Sequence, residues 1–359
     1  MKILDRYILG RFTAILLFAL VAFISIFIIV DLIEKLDDLL KQKVAFFIII
    51  KLYLFSLPYI IVLTLPVAML LSSLFSVGNM ARQNELVAMK ASGLSLYRIL
   101  APLFVFGFLV SLFAWGFGEF VLPGASERYN YLRDEYLEKH REAWRKRILN
   151  PILRDDTGKL LSMRDFHTAQ KSGNLVSIRR FDENENLIGR IDARRIEWQD
   201  SVWILYDGYE RIFKQGEEIA VPFAKRKFNK TSIKPQDFDQ LLKNPEEMSF
   251  KELKAFIEEV KRNGGDADRW LVDLYLKTAI PLANFIIILF GAPLSSPKRR
   301  GGMATGFGVS LVICFVYFGI VKTTQTMGHS GLLPPLLAAW AANIVFAIAG
   351  LFVLMRTSK

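Results

Sequence analysis

Cysteine and histidine are scarce in this chain of 359 residues, which contains one cysteine, Cys314, and three histidines, His140, His167 and His329. A single cysteine excludes an intrachain disulfide, so the cysteine content does not identify the cellular compartment. The three histidines are scattered and fit no spacing of metal ligands, and we interpret His167 and His329 as surface or turn residues. The sequence therefore predicts no metal site.

The sequence also lacks the motifs of common catalytic sites. Gly158-Lys159 is followed by Leu160 and has no earlier glycine at the required spacing, so it is not a nucleotide phosphate loop. The nucleophile elbow G-x-S-x-G is absent as well. These absences predict a chain that is not an enzyme and binds no cofactor of its own.

Charge is missing from several long apolar stretches, although 23% of the chain is charged and its mean hydropathy is +0.30. That charged fraction is too high for a protein that lies wholly within lipid, so we expect a membrane part and a water-soluble domain. Six stretches are long enough to cross a bilayer as helices. They are residues 12–30, 44–77, 99–117, about 271–289, a run starting at 301, and 332–355.

The first stretch has two interpretations, a cleaved signal peptide or a membrane anchor. The apolar region of a signal peptide is about 7 to 15 residues long and is followed by a small-residue cleavage site. Here the apolar run is longer and leads directly into DLIEKLDDLL. The sequence therefore predicts an anchor whose helix extends beyond the membrane surface.

Residues 124–270 have a different character, with 29 basic and 27 acidic residues and no run that could span a bilayer. Short alternating stretches rich in β-branched and aromatic residues are separated by turn signals, which predicts an all-β sandwich or jelly roll. The predicted strands are residues 159–163, 175–181, 187–196, 202–213 and 219–228. Trp198 and Trp203 flank a turn and are predicted to pair across a hairpin, and core packing explains them better than ligand stacking.

The predicted organisation has four parts. Residues 1–123 hold the first three membrane helices, and residues 124–248 form the β domain. Residues 249–269 form a connecting helix, because Ser249 and Glu252 make a capping box at its start. Residues 270–359 hold the last three membrane helices, and Pro293 and Pro297 are predicted to break the first of these.

The distribution of positive charge predicts the orientation. With six spans both termini lie on one side, and the short segments on that side carry eleven Lys or Arg against two acidic residues. The short loops on the other side carry five basic and four acidic residues. By the positive-inside rule, the termini are cytoplasmic and the β domain is outside, which in a bacterium means periplasmic. This pattern accounts for most of the net charge of +11 without nucleic acid.

Residues 79–95 interrupt two spans on the cytoplasmic side. Residues 81–90 lack Gly and Pro and contain good helix formers, and Gly93 is at a C-terminal capping position. The sequence predicts a short surface helix followed by a turn. We call residues 79–95 the coupling segment.

Three features of the membrane part have alternative explanations. Pro58 and Pro66 within the second span are typical of a cavity wall, and equally of an irregularity in packing. The lysines of the first helix extension fit either contact with an anionic lipid head group or a solvated helix face. In the fifth span, small residues recur every fourth position and favour close approach of another helix. The lysines are Lys35, Lys41 and Lys43, and the small residues are Gly302, Gly306, Ser310 and Cys314.

Five segments resemble the lipopolysaccharide-export permease family LptF/LptG, and its LptG branch more than its LptF branch. They are ILDRYI, QNELVAMKASGLS, GEFVLP, GAPLSSPKRRGG and LMRTSK, spread over essentially the whole chain. The resemblance implies a permease of the inner membrane with a periplasmic β-jellyroll domain. It also implies a second permease, LptF, an LptC partner, and a separate dimer of the ATPase LptB that binds ATP and magnesium. Lipopolysaccharide is then the substrate, which a periplasmic β-strand bridge receives.

The resemblance also implies roles for particular residues. The coupling segment is where the ATPase binds, with Glu85, Leu86, Met89, Lys90 and Gly93 as coupling residues. We expect Glu85 to pair with a basic residue of the ATPase while Leu86 and Met89 pack beside it, and solubility of the helix surface is the alternative explanation of Glu85. Lys35, Lys41 and Lys43 become candidate phosphate contacts in a lipid cavity, and the nearby acidic residues leave open which lysine faces it. Two alternatives remain: a scaffold or receptor with a periplasmic binding domain, and a permease for another lipid or for lipoproteins.

Overall fold

The computed structural model describes residues 3–137, 147–149, 151–155, 157–181, 186–214, 217–229, 231–242, 244–262, 267–297 and 303–357. The chain divides into two compact units. The helical unit comprises Met1–Arg133, Pro245–Phe250 and Asp268–Lys359, and the sheet unit comprises Asp134–Asn244 and Lys251–Ala267. The domain boundaries stated above stay predictions.

Nine α-helices are described, and six of them are long and apolar enough to cross a membrane. The six are α1, α2, α4, α7, α8 and α9. In chain order the helices are α1 (Ile3–Lys41), α2 (Phe46–Arg82), α3 (Glu85–Ala91), α4 (Leu96–Phe120), α5 (Leu122–Tyr136), α6 (Phe250–Arg262), α7 (Asp268–Ser295), α8 (Met303–His329) and α9 (Pro335–Thr357). Together with the antiparallel sheet described below, they confirm the predicted class of a helical membrane part plus a β domain.

Helix α2 lies at the centre of the helical unit. We compare the buried share of residues in the most apolar stretch of each helix. This share is 72% in α2, but only 11% in α1 and 22% in α8. Both Pro58 and Pro66 lie inside α2, and Pro66 is buried. Helices α1 and α8 thus form the periphery of the unit.

Small residues allow α7 to approach α2 and α9 closely. A Cβ atom added at Gly291 of α7 would lie 2.5 Å from Ser73 Oγ on α2, and one added at Gly350 of α9 would lie 3.1 Å from backbone atoms of Leu289. Helix α4 joins the same core, because Ser111 Oγ accepts a hydrogen bond from the backbone N–H of Phe285 at 3.1 Å. Close backbone approach of this kind is what small residues permit in membrane helices.

Two prolines lie within helices. Pro293 does not break α7, since it lies inside the helix, which continues to Ser295. At the end of the third span, α4 stops at Phe120, the chain turns at Val121, and α5 begins at once with Pro123 in its first turn. A proline is tolerated there because the N–H groups of the first helical turn have no partner within the helix.

The sheet unit contains one seven-stranded antiparallel sheet with the order β1-β3-β4-β5-β6-β7, in which β2 also pairs with β3. The strands are β1 (Arg147–Leu149), β2 (Ile152–Arg154), β3 (Leu160–His167), β4 (Ser172–Phe181), β5 (Leu187–Gln199), β6 (Val202–Lys214) and β7 (Glu217–Phe228). From β3 onward each strand pairs with the next one along the chain.

The hairpin between β5 and β6 has the predicted tryptophan pair. Trp198 is directly opposite Trp203, and the two ring centroids lie 4.9 Å apart. The connection is Asp200-Ser201, where both residues have positive φ, 49° and 62°, as two-residue hairpin turns require. Trp203 is completely buried and its indole N–H donates to the carbonyl of Ile233 at 2.8 Å, so packing explains this pair.

Candidate functional site

The coupling segment contains a helix that is shorter than predicted. Instead of one helix over residues 81–90, α2 continues to Arg82 and α3 begins at Glu85. Asn84 separates them in the left-handed region, with φ of 60°, a conformation that asparagine tolerates better than most residues. Gly93 follows α3 with φ of +85°, which confirms it as a turn glycine, and Ser95 Oγ caps α4 by accepting from the N–H of Arg98.

Glu85 is paired with residues of α1. Arg11 Nη1 lies 3.0 Å from both carboxylate oxygens of Glu85, and the hydroxyl oxygen of Tyr7 also lies 3.0 Å from both. Arg11 Nη2 donates to the side-chain oxygen of Gln83 at 2.9 Å. The Glu85 side chain is 26% exposed to solvent. Glu85 therefore holds the start of α3 against the first membrane helix and still presents one side outward.

The other predicted coupling residues divide into an inner and an outer set. Leu86 is 3% exposed and belongs to the core that contains Ile8, and Met89 packs against the same core. Lys90 and Gly93 are exposed, and so is Val87, which is 58% exposed. Leu86 and Met89 thus anchor α3 to the helical unit, while Val87 and Lys90 form its accessible face.

A second ion pair joins α1 to the start of α4. Arg98 donates from Nη1 to Asp5 Oδ1 at 2.8 Å and from Nη2 to Asp5 Oδ2 at 3.1 Å. This bidentate geometry is the favoured way for a guanidinium to bind a carboxylate. The side chain of Asp5 is only 15% exposed. The coupling segment and the first turn of the helix that follows it are therefore each bound by a charged residue in the first three turns of α1.

Lys35 lies in a polar cluster at the other end of α1. Its ammonium group lies 2.7 Å from Asp31 Oδ1 and 2.9 Å from the hydroxyl of Tyr129 on α5. Tyr53 of α2 donates to Asp31 Oδ2 at 3.0 Å. Lys35 is thus already neutralised within the chain, and it links α1 with α2 and α5.

The remaining two lysines are exposed. Lys41 pairs with Asp37 one helical turn earlier, and both side chains are largely exposed. Lys43 follows the end of α1 with φ of 49°, and its side chain forms no ion pair with any described residue. Among the three candidate lysines, Lys43 is therefore the most available to an external phosphate.

In the small-residue stripe of the fifth span, Ser310 and Cys314 face the chain's own helices, whereas a Cβ added at Gly306 would meet no atom within 4 Å. Ser310 is 3% exposed, and Cys314 is buried in a core cluster that includes Tyr317 of the same helix and Ala342 of α9. Gly306 is half-buried, and Gly302 lies outside the described residues. The face opposite the stripe is exposed at Val312 and Phe315.

His329, interpreted above as a surface or turn residue, has a defined partner. Its Nε2 lies 3.0 Å from Asp273 Oδ1, and Gln325 donates to the same oxygen at 3.0 Å. Asp273 lies near the start of α7, and Gln325 and His329 lie near the end of α8. These contacts therefore join the two helices. In the described part of the chain, no group of three His, Cys, Asp or Glu could hold a metal ion.

Sequence reasoning missed Tyr7 and Arg11 as partners of the coupling segment, and it missed the pair of Asp5 and Arg98 beside it. Tyr7 and Arg11 are four residues apart, which places them on one face of a helix. That spacing is a usable signal, but it does not identify Glu85 as their partner. The pairing depends on how α1 packs beside α3.

The chain is similar to proteins of one family. The family described as "Lipopolysaccharide export system permease LptF/LptG" matches residues 6–356. The lipopolysaccharide export system permease protein LptG of Escherichia coli strain K12 is 24% identical over 370 residues, covering 99% of each chain. The protein of the same name from Haemophilus influenzae is 21% identical over 375 residues, covering 98% of each chain.

Proposed function

Because the chain belongs to the LptF/LptG family of lipopolysaccharide export permeases, we propose that it extracts lipopolysaccharide from the inner membrane and passes it to a periplasmic β-jellyroll bridge. The observation that carries this proposal is the placement of α3. It is an exposed short helix between two spanning helices, and the buried Leu86 fixes it to the core of the helical unit. A force applied to α3 from outside is thereby transmitted to the membrane helices.

The energy source is a separate ATPase. The sequence has no phosphate loop, so hydrolysis is assigned to a partner, a dimer of LptB, which binds ATP and magnesium. A second permease, LptF, and LptC complete the assembly. The low burial of α1 and α8 supports a second permease, because 11% and 22% buried residues leave apolar faces for another membrane subunit or for lipid.

The ATPase surface consists of Val87, Lys90 and the open side of Glu85. Val87 supplies an exposed apolar contact, and Glu85, whose side chain is 26% exposed beside Arg11 and Tyr7, pairs with a basic residue of the ATPase. Leu86 and Met89 do not contact the ATPase, and they fix α3 to the core of the helical unit. In this arrangement Leu86 and Met89 pack into the helical unit, whereas the sequence-based expectation put them beside the contact of Glu85 with the ATPase.

The lipid phosphates are bound at the opposite end of α1. Lys43 is the first contact because it is exposed and forms no ion pair within the described chain, and Lys41 lies two residues away beside Asp37. Lys35 contributes only when its bond to Asp31 opens. In this orientation both termini and the coupling segment are cytoplasmic, and the sheet unit is periplasmic.

One experiment tests the function. The chain is affinity-tagged and purified from its host, the copurifying proteins are identified, and the complex is placed in lipid vesicles that contain lipopolysaccharide. We expect a separate ATPase and a second permease to copurify, and lipopolysaccharide to stimulate ATP hydrolysis and to leave the vesicles with ATP. A scaffold or receptor would do neither, and a permease for another lipid would respond to that lipid instead.

A further inference from the structure

Helix α1 is attached to the rest of the helical unit mainly by its first half. Its buried residues there are Ile8, Phe12, Leu16 and Ala19, which recur at helical spacing. From residue 20 to residue 38, all of them described, no side chain of α1 is buried, while near its far end Leu39 is buried and the Lys35 cluster contacts α2 and α5. The middle of α1 therefore has few packing contacts that would resist a movement of the helix together with its first half.

The attached end is also the part that contacts the coupling segment. Arg11 and Tyr7 bind Glu85 at the start of α3, and Asp5 binds Arg98 in the first turn of α4. Two ion pairs on separate turns of α1 fix its rotation as well as its distance from the segment. The buried Leu86 belongs to the same core as Ile8 and Phe12, so apolar packing reinforces the polar contacts.

The far end of α1 carries the candidate phosphate ligands. Arg11 and Lys35 are 24 positions apart in one continuous helix, which spans about 36 Å at 1.5 Å per residue. A displacement at Arg11 therefore reaches Lys35 without passing through α2 or α4. The cluster of Lys35 with Asp31, Tyr53 and Tyr129 is the point where such a displacement alters the contacts of α1 with α2 and α5.

We propose that Asp5 and Arg11 are positioning residues that make α1 follow the coupling segment, so that ATPase movement is transmitted along α1 to the lipid-binding end. The inference rests on the proposed function and adds a route to it. The coupling segment is covalently continuous with α2 and α4 only. The ion pairs of Arg11 with Glu85 and of Asp5 with Arg98 make α1 move together with these helices.

The test uses the whole complex in vesicles and the pair of Asp5 and Arg98, which lies outside the proposed ATPase surface. The variants are Asp5→Arg, Arg98→Asp and the double swap, with Arg6→Glu as a matched control, since Arg6 is exposed on the same turn of α1 and forms no ion pair with a described residue. The measured quantity is lipopolysaccharide released per ATP hydrolysed. Each single reversal should lower it about tenfold, the effect of losing roughly 1.4 kcal/mol of coupling. The double swap should restore most of it, and Arg6→Glu should leave it unchanged.

Arg11 is tested with a direct readout of helix movement. Spin labels replace Ile33 on α1 and Leu332 beyond α8, which are 65% and 72% exposed, in a background with Cys314→Ala. We expect the distance between the labels to change when ATP and vanadate trap the ATPase, and the change to disappear in Arg11→Gln but to persist in Arg11→Lys. A residue that only stabilised the fold would lower the yield and leave the nucleotide response of the purified protein intact.

The outcomes separate this inference from the proposed function. If the unmodified complex lacks a lipopolysaccharide-stimulated ATPase, the proposed function fails. If that complex is active but Arg11→Gln retains the ATPase and the full distance change, the inference is wrong and the function stands. Failure of the double swap to restore release, with the ATPase still bound, also overturns the inference.

Discussion

The backbone N–H of Phe250 donates to Glu119 Oε2 at 2.7 Å and joins residues that lie 131 positions apart. Phe250 is the first residue of α6, and Glu119 lies one residue before the end of α4. The N–H groups of the first helical turn have no acceptor within their own helix, and a carboxylate there satisfies one of them and also interacts favourably with the helix dipole. Within the helical unit, the end of the third spanning helix thus binds the N–H of Phe250.

Glu119→Ala should lower stability by about 1 kcal/mol, the usual effect of losing a helix cap. The melting temperature of the purified protein in detergent, followed by tryptophan fluorescence, measures the change. Glu127→Ala is the matched control, because Glu127 is exposed on α5. Equal melting temperatures for the two variants would show that the contact with Phe250 adds nothing to stability.

Gly350→Leu should destabilise the helical unit by about 1–3 kcal/mol, the usual range for overpacking. A Cβ at Gly350 already lies 3.1 Å from the backbone of α7, so a larger side chain must push the two helices apart. Gly319→Leu serves as the control, since Gly319 on α8 has no neighbouring atom within 4 Å of a Cβ. Thermal unfolding in detergent compares them, and a loss in Gly319→Leu as large as that in Gly350→Leu would contradict the prediction.

Trp203→Phe should destabilise the sheet unit by about 1–3 kcal/mol, because it leaves the buried carbonyl of Ile233 without its donor. Trp198→Phe should cost less, since Trp198 is only half-buried. Urea unfolding followed by circular dichroism at a β-sheet wavelength provides the measurement. The reverse order of the two variants would argue against a core role for Trp203.

Val87→Arg should reduce copurification of the ATPase roughly tenfold, which corresponds to about 1.4 kcal/mol of binding free energy. Val87 is exposed on the proposed surface and contributes no core contact, so the protein itself should fold normally. Glu85→Lys should also weaken binding, and in addition it places a positive charge beside Arg11. Glu127→Lys on α5 controls for a general change of charge, and unaltered assembly in Val87→Arg would remove α3 from the ATPase interface.

Photo-crosslinking should rank the three lysines in the order Lys43, Lys41, Lys35. The order follows their availability, since Lys43 is exposed without an ion pair to a described residue, Lys41 pairs at the surface, and Lys35 is enclosed by Asp31 and Tyr129. A photoreactive amino acid replaces each lysine in turn, and the lipopolysaccharide adduct is quantified on a gel. Val105, exposed on the apolar surface of α4, is the control position. Strongest labelling at position 35 would place the lipid inside the Lys35 cluster instead.

Much of the fold was predictable because its signals are local. Runs of apolar residues define the spanning helices, and alternation with turn residues defines five of the seven strands to within a few positions, whereas the three-residue strands β1 and β2 were not predicted. The pairing of Trp198 with Trp203 followed from two residues flanking one turn. The break at Asn84 was not predictable, because residues 81–90 have good helix propensity throughout and the left-handed conformation of one asparagine is set by its surroundings.

By itself, the sequence determined which segments can enter a membrane, which segment forms the sheet, and which short helix lies between two spans. These properties depend on the free energy of transferring apolar side chains out of water and on the spacing of apolar residues along the chain. Both can be read from consecutive residues. Only the tertiary structure decided that Glu85 binds Arg11 and Tyr7, that Leu86 faces inward, and that Lys35 is occupied while Lys43 is available. Such contacts join residues many turns apart, and their existence depends on which helix faces are brought together by packing.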